Sequence, residues 1–169
     1  MKSLQYIVFL FLGIAVLSSC EKKDYPAGLP EYDHHYYAIF VPNNNTGVSV
    51  NRTQTALIKF PVQFYSTFVR SYDAVAKYTI VNPATGAAVL DQDYSIVDRN
   101  GAKIQPDGSG LYSIVFPKAV QATDTIYIKL LNSAVTGTRK MEVQIKENKT
   151  DEFYVDIFST AFKRPVEIK

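Results

Sequence analysis

Apolar and polar residues alternate in steps of two along most of this chain, in short runs separated by turn residues. This pattern predicts half-buried β-strands. Residues 55–64 set Ala56, Ile58, Phe60, Val62 and Phe64 on one face and Thr55, Lys59 and Gln63 on the other. Residues 125–131 place Ile126, Ile128 and Leu130 opposite Tyr127 and Lys129, and residues 139–146 turn Met141, Val143 and Ile145 inward. An aromatic and β-branched run at 36–41 is closed by Pro42 and Asn43-Asn44-Asn45, and a run at 75–81 ends at Asn82-Pro83. Further strands are expected at 94–97, 102–105, 111–116, 153–158 and 166–168. Asn100-Gly101 has the residues of a type I′ hairpin turn, and Pro106-Asp107-Gly108 is a second turn signal. Pro61 cannot donate to a ladder, so its run is expected at a sheet edge or a bulge.

Eight or nine short antiparallel strands at this spacing predict an all-β fold, an immunoglobulin-like β-sandwich spanning residues 36–169. Ten phenylalanines and twelve tyrosines are available to fill a thin core between two sheets.

Before that domain the pattern changes. A short positive start, Met1-Lys2-Ser3-Leu4-Gln5, is followed by an almost wholly apolar run at 6–17. That run is too short to cross a bilayer, which takes about 20 apolar residues, and has the length of the apolar stretch of an export signal. It ends in Leu17-Ser18-Ser19-Cys20, after which Glu21-Lys22-Lys23-Asp24 is abruptly polar. Leu-Ser-Ser-Cys resembles the lipobox of bacterial lipoproteins. The resemblance implies removal of residues 1–19, lipidation of Cys20, and attachment to the membrane through that lipid. Small residues before the cut fit a narrow peptidase site, and a thiol supplies the nucleophile for a thioether. Several acyl chains, at roughly 0.8 kcal/mol per buried CH₂, would hold a folded domain on a membrane. Residues 20–35, with Pro26, Gly28 and Pro30 and no periodicity, read as the lipidated cysteine and an extended tether. The charged start of that tether resembles those of surface lipoproteins of the Bacteroidota, which implies an outer-membrane, cell-surface location.

A second resemblance lies in the domain. Gln92-Asp93-Tyr94-Ser95, Ile114-Val115-Phe116-Pro117 and Asp124-Thr125-Ile126-Tyr127-Ile128 are similar to Calx-beta-like and related immunoglobulin-like domains over residues 90–146. Some such domains hold calcium, which takes six to eight converging oxygen ligands. The acids here, Asp91, Asp93, Asp98, Asp107 and Asp124, are spread over turns without a dense run. Asp93 is therefore expected to bond local backbone at a strand entrance.

Charge and composition narrow the chemistry further. Eighteen Lys+Arg against sixteen Asp+Glu give +2, and loss of Lys2 with the leader leaves 17 against 16, or +1. So balanced a chain lacks the basic stripe of a nucleic-acid binder. One cysteine rules out a disulfide framework. His34 and His35 are neighbours that point opposite ways on an extended chain and suit a shared metal poorly. No catalytic motif is present, and Asp151-Glu152 reads as a solvated hairpin tip. Asp124-Thr125-Ile126 fits a short O-glycosylation pattern of Bacteroidota exported proteins, but Thr125 reads better as simply the start of a strand.

The expected function is thus a non-enzymatic binding or accessory module on the cell surface, without cofactor or metal, whose partner is a glycan or an outer-membrane protein. Tyrosines stack on sugar faces, and Tyr36, Tyr37, Tyr65, Tyr72 and Tyr78 are the candidates. The alternative is a structural or adhesive assembly subunit that works through sandwich edges or loops.

Overall fold

A computed structural model of the protein describes residues 34–66, 70–118 and 121–169. Cys20, the leader and the tether up to residue 33 lie outside the described residues. Eleven strands, numbered along the chain, make up the described fold: β1 (His35–Phe40), β2 (Val48–Val50), β3 (Ile58–Tyr65), β4 (Asp73–Val81), β5 (Tyr94–Val97) and β6 (Tyr112–Pro117). They continue with β7 (Gln121–Leu130), β8 (Arg139–Lys146), β9 (Asn148–Lys149), β10 (Tyr154–Ile157) and β11 (Lys163–Ile168). Two sheets result, one six-stranded in the order β5-β7-β3-β1-β10-β9, the other five-stranded in the order β2-β11-β8-β4-β6. The all-β, immunoglobulin-like sandwich expected from the alternation is the fold observed.

Alternation dictates the core. Along β3, Ile58, Phe60, Val62 and Phe64 are buried while Lys59 and Tyr65 are exposed; β6 and β8 alternate in the same way. The sheets meet through these inward residues, with the Phe64 ring stacked on Phe116 of the opposite sheet at 5.1 Å. Tyr36 packs on Phe64 at 5.2 Å, and Phe40 meets the Phe60 ring edge-on at 6.3 Å. Each such side chain, fully buried, contributes about 1.5–3 kcal/mol.

Several expectations are corrected. There are eleven strands rather than eight or nine, and not all pairs are antiparallel: β1 runs parallel to β10 and β11 parallel to β2. Pro61 stands in an interior strand, not at an edge, because β3 lies between β7 and β1. Its carbonyl accepts from the Val41 amide at 2.9 Å. In an antiparallel ladder a residue's N–H and C=O face the same neighbour, so the missing N–H falls where β1 has ended. His35, assigned to the tether, is the first residue of β1 and pairs with Tyr154. The expected strand at 102–105 reduces to a single bridge, Val97 to Lys103.

The turn before that bridge is not type I′, since Gly101 has φ +85° but Asn100 is not among the residues of positive φ. Asp98 decides this: its carboxylate accepts from the Asn100 and Ala102 amides at 2.8 and 2.9 Å, which fixes a turn that needs left-handed backbone only at the glycine.

The four sheet edges differ. β9 has two residues and β2 three. β5 is covered by the following segment, whose Ile104 amide donates to the Ile96 carbonyl at 3.0 Å. β6 is a six-residue edge with Val115 48% exposed at its centre.

Candidate functional site

The outward side of the six-stranded sheet carries a line of rings. On β1, alternation buries Tyr36, Ala38 and Phe40 and turns His35, Tyr37 and Ile39 outward. The register sets His35 beside Tyr154 and Tyr37 beside Asp156 on the parallel neighbour β10. His35 is stacked on Tyr154 with centroids 4.5 Å apart, and its other side is tilted against Tyr37 at 5.3 Å. Phe158, just past β10, meets Tyr37 edge-on at 5.6 Å. The Lys149 ammonium lies 5.8 Å from the Tyr154 ring centre. Tyr65, at the end of β3, is 53% exposed and is the most open aromatic of the group.

Between Tyr37, Tyr65 and Phe158 is a hollow of about 200 Å³, with Ile39 apolar beneath and His35, Gln63 and Asn43 supplying polar groups. Asn43 reaches it from the loop after β1. Arg164 holds that loop by donating to the carbonyls of Pro42 and Asn44, with its guanidinium 5.0 Å from the Phe40 ring centre. His35 Nε2 lies 3.0 Å from the Asp156 carboxylate, and the Ile157 amide donates to the same group at 2.6 Å. Burial pushes the Asp156 carboxyl up. The Ile157 amide, the Tyr154 hydroxyl and His35 outweigh it and hold the group below its ordinary value. Burial, then the bond to Asp156, pushes the Tyr154 phenol up to about 12.

Of the five tyrosines singled out from sequence, Tyr37 and Tyr65 come together at this hollow. Tyr36 also borders the hollow, but it and Tyr78 are corrected as ring platforms: at 1% and 2% exposure they offer no ring face to a ligand. Tyr78 stacks on Tyr112 inside the sandwich at 5.2 Å. Tyr36 lies under the Arg70 guanidinium, 4.7 Å away, and bonds the Tyr72 hydroxyl at 2.9 Å. Tyr72 is half-buried, stacked on Phe153 at 5.4 Å and hydrogen-bonded to His34 at 2.6 Å, away from the hollow. His34 and His35 accordingly serve different partners. His35, Tyr154, Asp156, Phe158, Gln63 and Asn43 were not foreseen as site residues. The alternation of Tyr154-Val155-Asp156 hinted at a polar face, but the parallel pairing that brings it to β1 spans about 120 positions.

The acids weighed for calcium each have local work. Asp93, 3% exposed, accepts from the Val89 amide at 2.9 Å, as expected for a strand entrance. Asp98 and Asp107 accept from amides of their own turns, Asp91 pairs with Lys103 at 2.6 Å, and Asp124 accepts from the Thr125 amide. Among the described residues no three His, Cys, Asp or Glu are grouped to hold a metal. Asp151 and Glu152 are exposed at the turn joining β9 to β10, which Thr150 Oγ organises by accepting from the Glu152 and Phe153 amides.

A larger groove of about 580 Å³ crosses the outer side of the five-stranded sheet, over Val48, Val81, Pro83 and Pro165. It has no aromatic wall, and Lys140 on its rim is engaged with Glu167 at 3.5 Å. Size aside, the smaller hollow carries the more selective chemistry.

No protein-family model matches the chain, and no curated protein matches it. Solved structures similar to it include the apo form of the Calx CBD1 domain, with 13% identity, 79% of this chain and 97% of that chain covered, and a TM-score of 0.47. The Calx CBD2 domain gives 12% identity, 78% and 85% coverage, and 0.47. The collagen-binding domain of a Staphylococcus aureus adhesin gives 11% identity, 78% and 95% coverage, and 0.33.

Proposed function

We propose that this protein is a lipid-anchored, non-enzymatic module that captures a glycan on the outer side of its six-stranded sheet. The observation that carries the reading is the hollow itself: aromatic walls from Tyr37, Tyr65 and Phe158 beside the amides of Gln63 and Asn43 and the ring of His35. A sugar ring presents apolar C–H faces and a rim of hydroxyls. Rings that stand apart, with neutral donors and acceptors between them, match both. Tyr37 and Phe158 meet edge-on, so they do not form the flat platform that exposed coplanar rings would make. A hollow of about 200 Å³ suits one sugar unit at a time.

Anchoring rests on Leu17-Ser18-Ser19-Cys20 following an apolar run of export-signal length. A lipid at Cys20 and a tether through the following residues would present the hollow at the outer-membrane surface, where glycan capture serves uptake by a partner.

Binding is tested on a panel of immobilised neutral polysaccharides. The wild type is expected to be retained on at least one, with Tyr65→Ala and Phe158→Ala weakening retention about tenfold at unchanged circular dichroism. Equal retention of all three proteins would reject the hollow as the site. Anchoring is tested by the mass of the N-terminal peptide of protein extracted from membranes, and an intact N-terminus with unmodified Ser19 and Cys20 would reject it. A second reading, assembly through a sandwich edge, is favoured by the open β6 edge with its exposed Val115. Its test is Val115→Lys, which would dissociate an assembly built there and leave a monomer unaffected.

A further inference from the structure

We infer that the hollow selects uncharged sugars over anionic ones, and that Asp156 sets this choice. The inference rests on the glycan reading above and names the class of ligand that reading leaves open. Among the described residues no lysine or arginine lines the hollow; its polar groups there are the neutral amides of Gln63 and Asn43, the Tyr65 hydroxyl and the imidazole of His35.

The fixed charge beside the hollow is a carboxylate. Asp156 is the register partner of Tyr37, on a strand about 4.8 Å away, so its carboxylate stands on the same outer side as the Tyr37 ring. The Ile157 amide and His35 orient it, and they keep it ionised at neutral pH. His35 Nε2 lies 3.0 Å from the Asp156 carboxylate, so a ligand charge at the imidazole also faces that carboxylate. The lysine of this region, Lys149, lies over the far ring of the stack, Tyr154. A uronate, sulfated or sialylated unit would therefore meet a like charge within a Debye length, about 8 Å at physiological ionic strength, and no cation of the described lining. A neutral unit meets the amides of Gln63 and Asn43, the imidazole of His35 and the Tyr65 hydroxyl. The amides of Gln63 and Asn43 both donate and accept, which is what a polyol rim requires.

The test compares three forms of one backbone: a neutral glucan, mannan or galactan retained in the panel above, its C6-carboxylated derivative, and the methyl ester of that derivative. The ester restores neutrality while keeping the added atoms. Affinities are read by calorimetry at 0.05 and 1 M NaCl. The wild type is expected to bind the carboxylated form at least tenfold more weakly than the ester at low salt, and within threefold of it at 1 M. In Asp156→Asn the low-salt ratio of ester to carboxylated affinity should fall to threefold or less. If that variant does not fold, the salt dependence of the wild type decides alone. Carboxylated chains bound as tightly as their esters would overturn the inference, as would an unchanged ratio in a folded Asp156→Asn. Failure of the glycan reading looks different: no neutral backbone is retained and Tyr65→Ala changes nothing, and the selectivity falls with it.

Discussion

Asp93 is nearly inaccessible to solvent, and its replacement separates a carboxylate that builds the fold from one that serves an ion. Its Oδ2 accepts from the Val89 amide at 2.9 Å, its Oδ1 accepts from the Ser133 hydroxyl at 2.5 Å, and Arg139 Nε lies 4.0 Å away, buried and without a hydrogen bond. The same residue's carbonyl accepts from the Leu131 amide at 3.0 Å, so this position ties the start of β5 to the end of β7.

In Asp93→Ala both side-chain bonds vanish. Bonds to a charged group contribute about 1.5–3 kcal/mol each, discounted here because Ser133 can turn to water. The Arg139 pair adds about 1 kcal/mol or less, since its side chain is 27% exposed. The expected loss is about 3 kcal/mol. Asp93→Asn keeps an acceptor for the Val89 amide and should cost about 1 kcal/mol. With a urea slope of about 2 kcal/mol per molar, the midpoints should fall by about 1.5 M and 0.5 M at unchanged slope.

The same unfolding curves repeated with millimolar calcium close the question. A site occupied at a hundred times its dissociation constant would raise wild-type stability by about 2.7 kcal/mol. A calcium-dependent rise of that size that disappears in Asp93→Ala would refute the structural role. So would a cost below about 1 kcal/mol for the alanine variant.

Phe64→Ala removes the ring that joins the two sheets by stacking on Phe116, and should cost about 3–5 kcal/mol, read by the same unfolding curves. Acidification should destabilise the fold. Asp91 and Asp107 are lowered chiefly by Lys103 and Lys77, and Asp156 is lowered despite its burial, so the stability they supply is complete above the unfolded carboxyl value. It is lost as pH falls through their depressed native values. Thermal midpoints measured from pH 6 down to 2.5 should therefore drop, and less so in Asp107→Asn. At the alkaline end, burial raises the phenols of Tyr36 and Tyr78 and pushes Tyr94 up to about 12. The unfolded chain then gives up these protons first, so stability falls as pH rises above about 10. Absorbance at 295 nm should show a group of tyrosines ionising only together with unfolding, and smooth titration of every tyrosine would contradict the burial of Tyr36, Tyr78 and Tyr94.

The chain's own alternation determined which residues of β3, β7 and β8 enter the core, and hence the all-β sandwich, because side-chain direction in a strand is local and repeats every two residues. The role of Asp98 in its turn was equally local, as was that of Asp93 at its strand entrance, each bonding amides within four positions. Strand order was not local. Pro61 read as an edge residue because nothing nearby in sequence reveals that β1 stops where the missing N–H would have been needed. On β1 both faces are apolar or aromatic, so parity alone could not tell that Tyr36 goes in and Tyr37 out. His35 became part of the site only through Tyr154 and Asp156, about 120 residues further on. The hollow exists because the antiparallel pairing of β1 with β3 sets Tyr37 and Ile39 beside Gln63 and Tyr65, and the parallel pairing with β10 brings Phe158 to them. Separations of this kind carry no periodic signal, and only the packed sheet selects those registers.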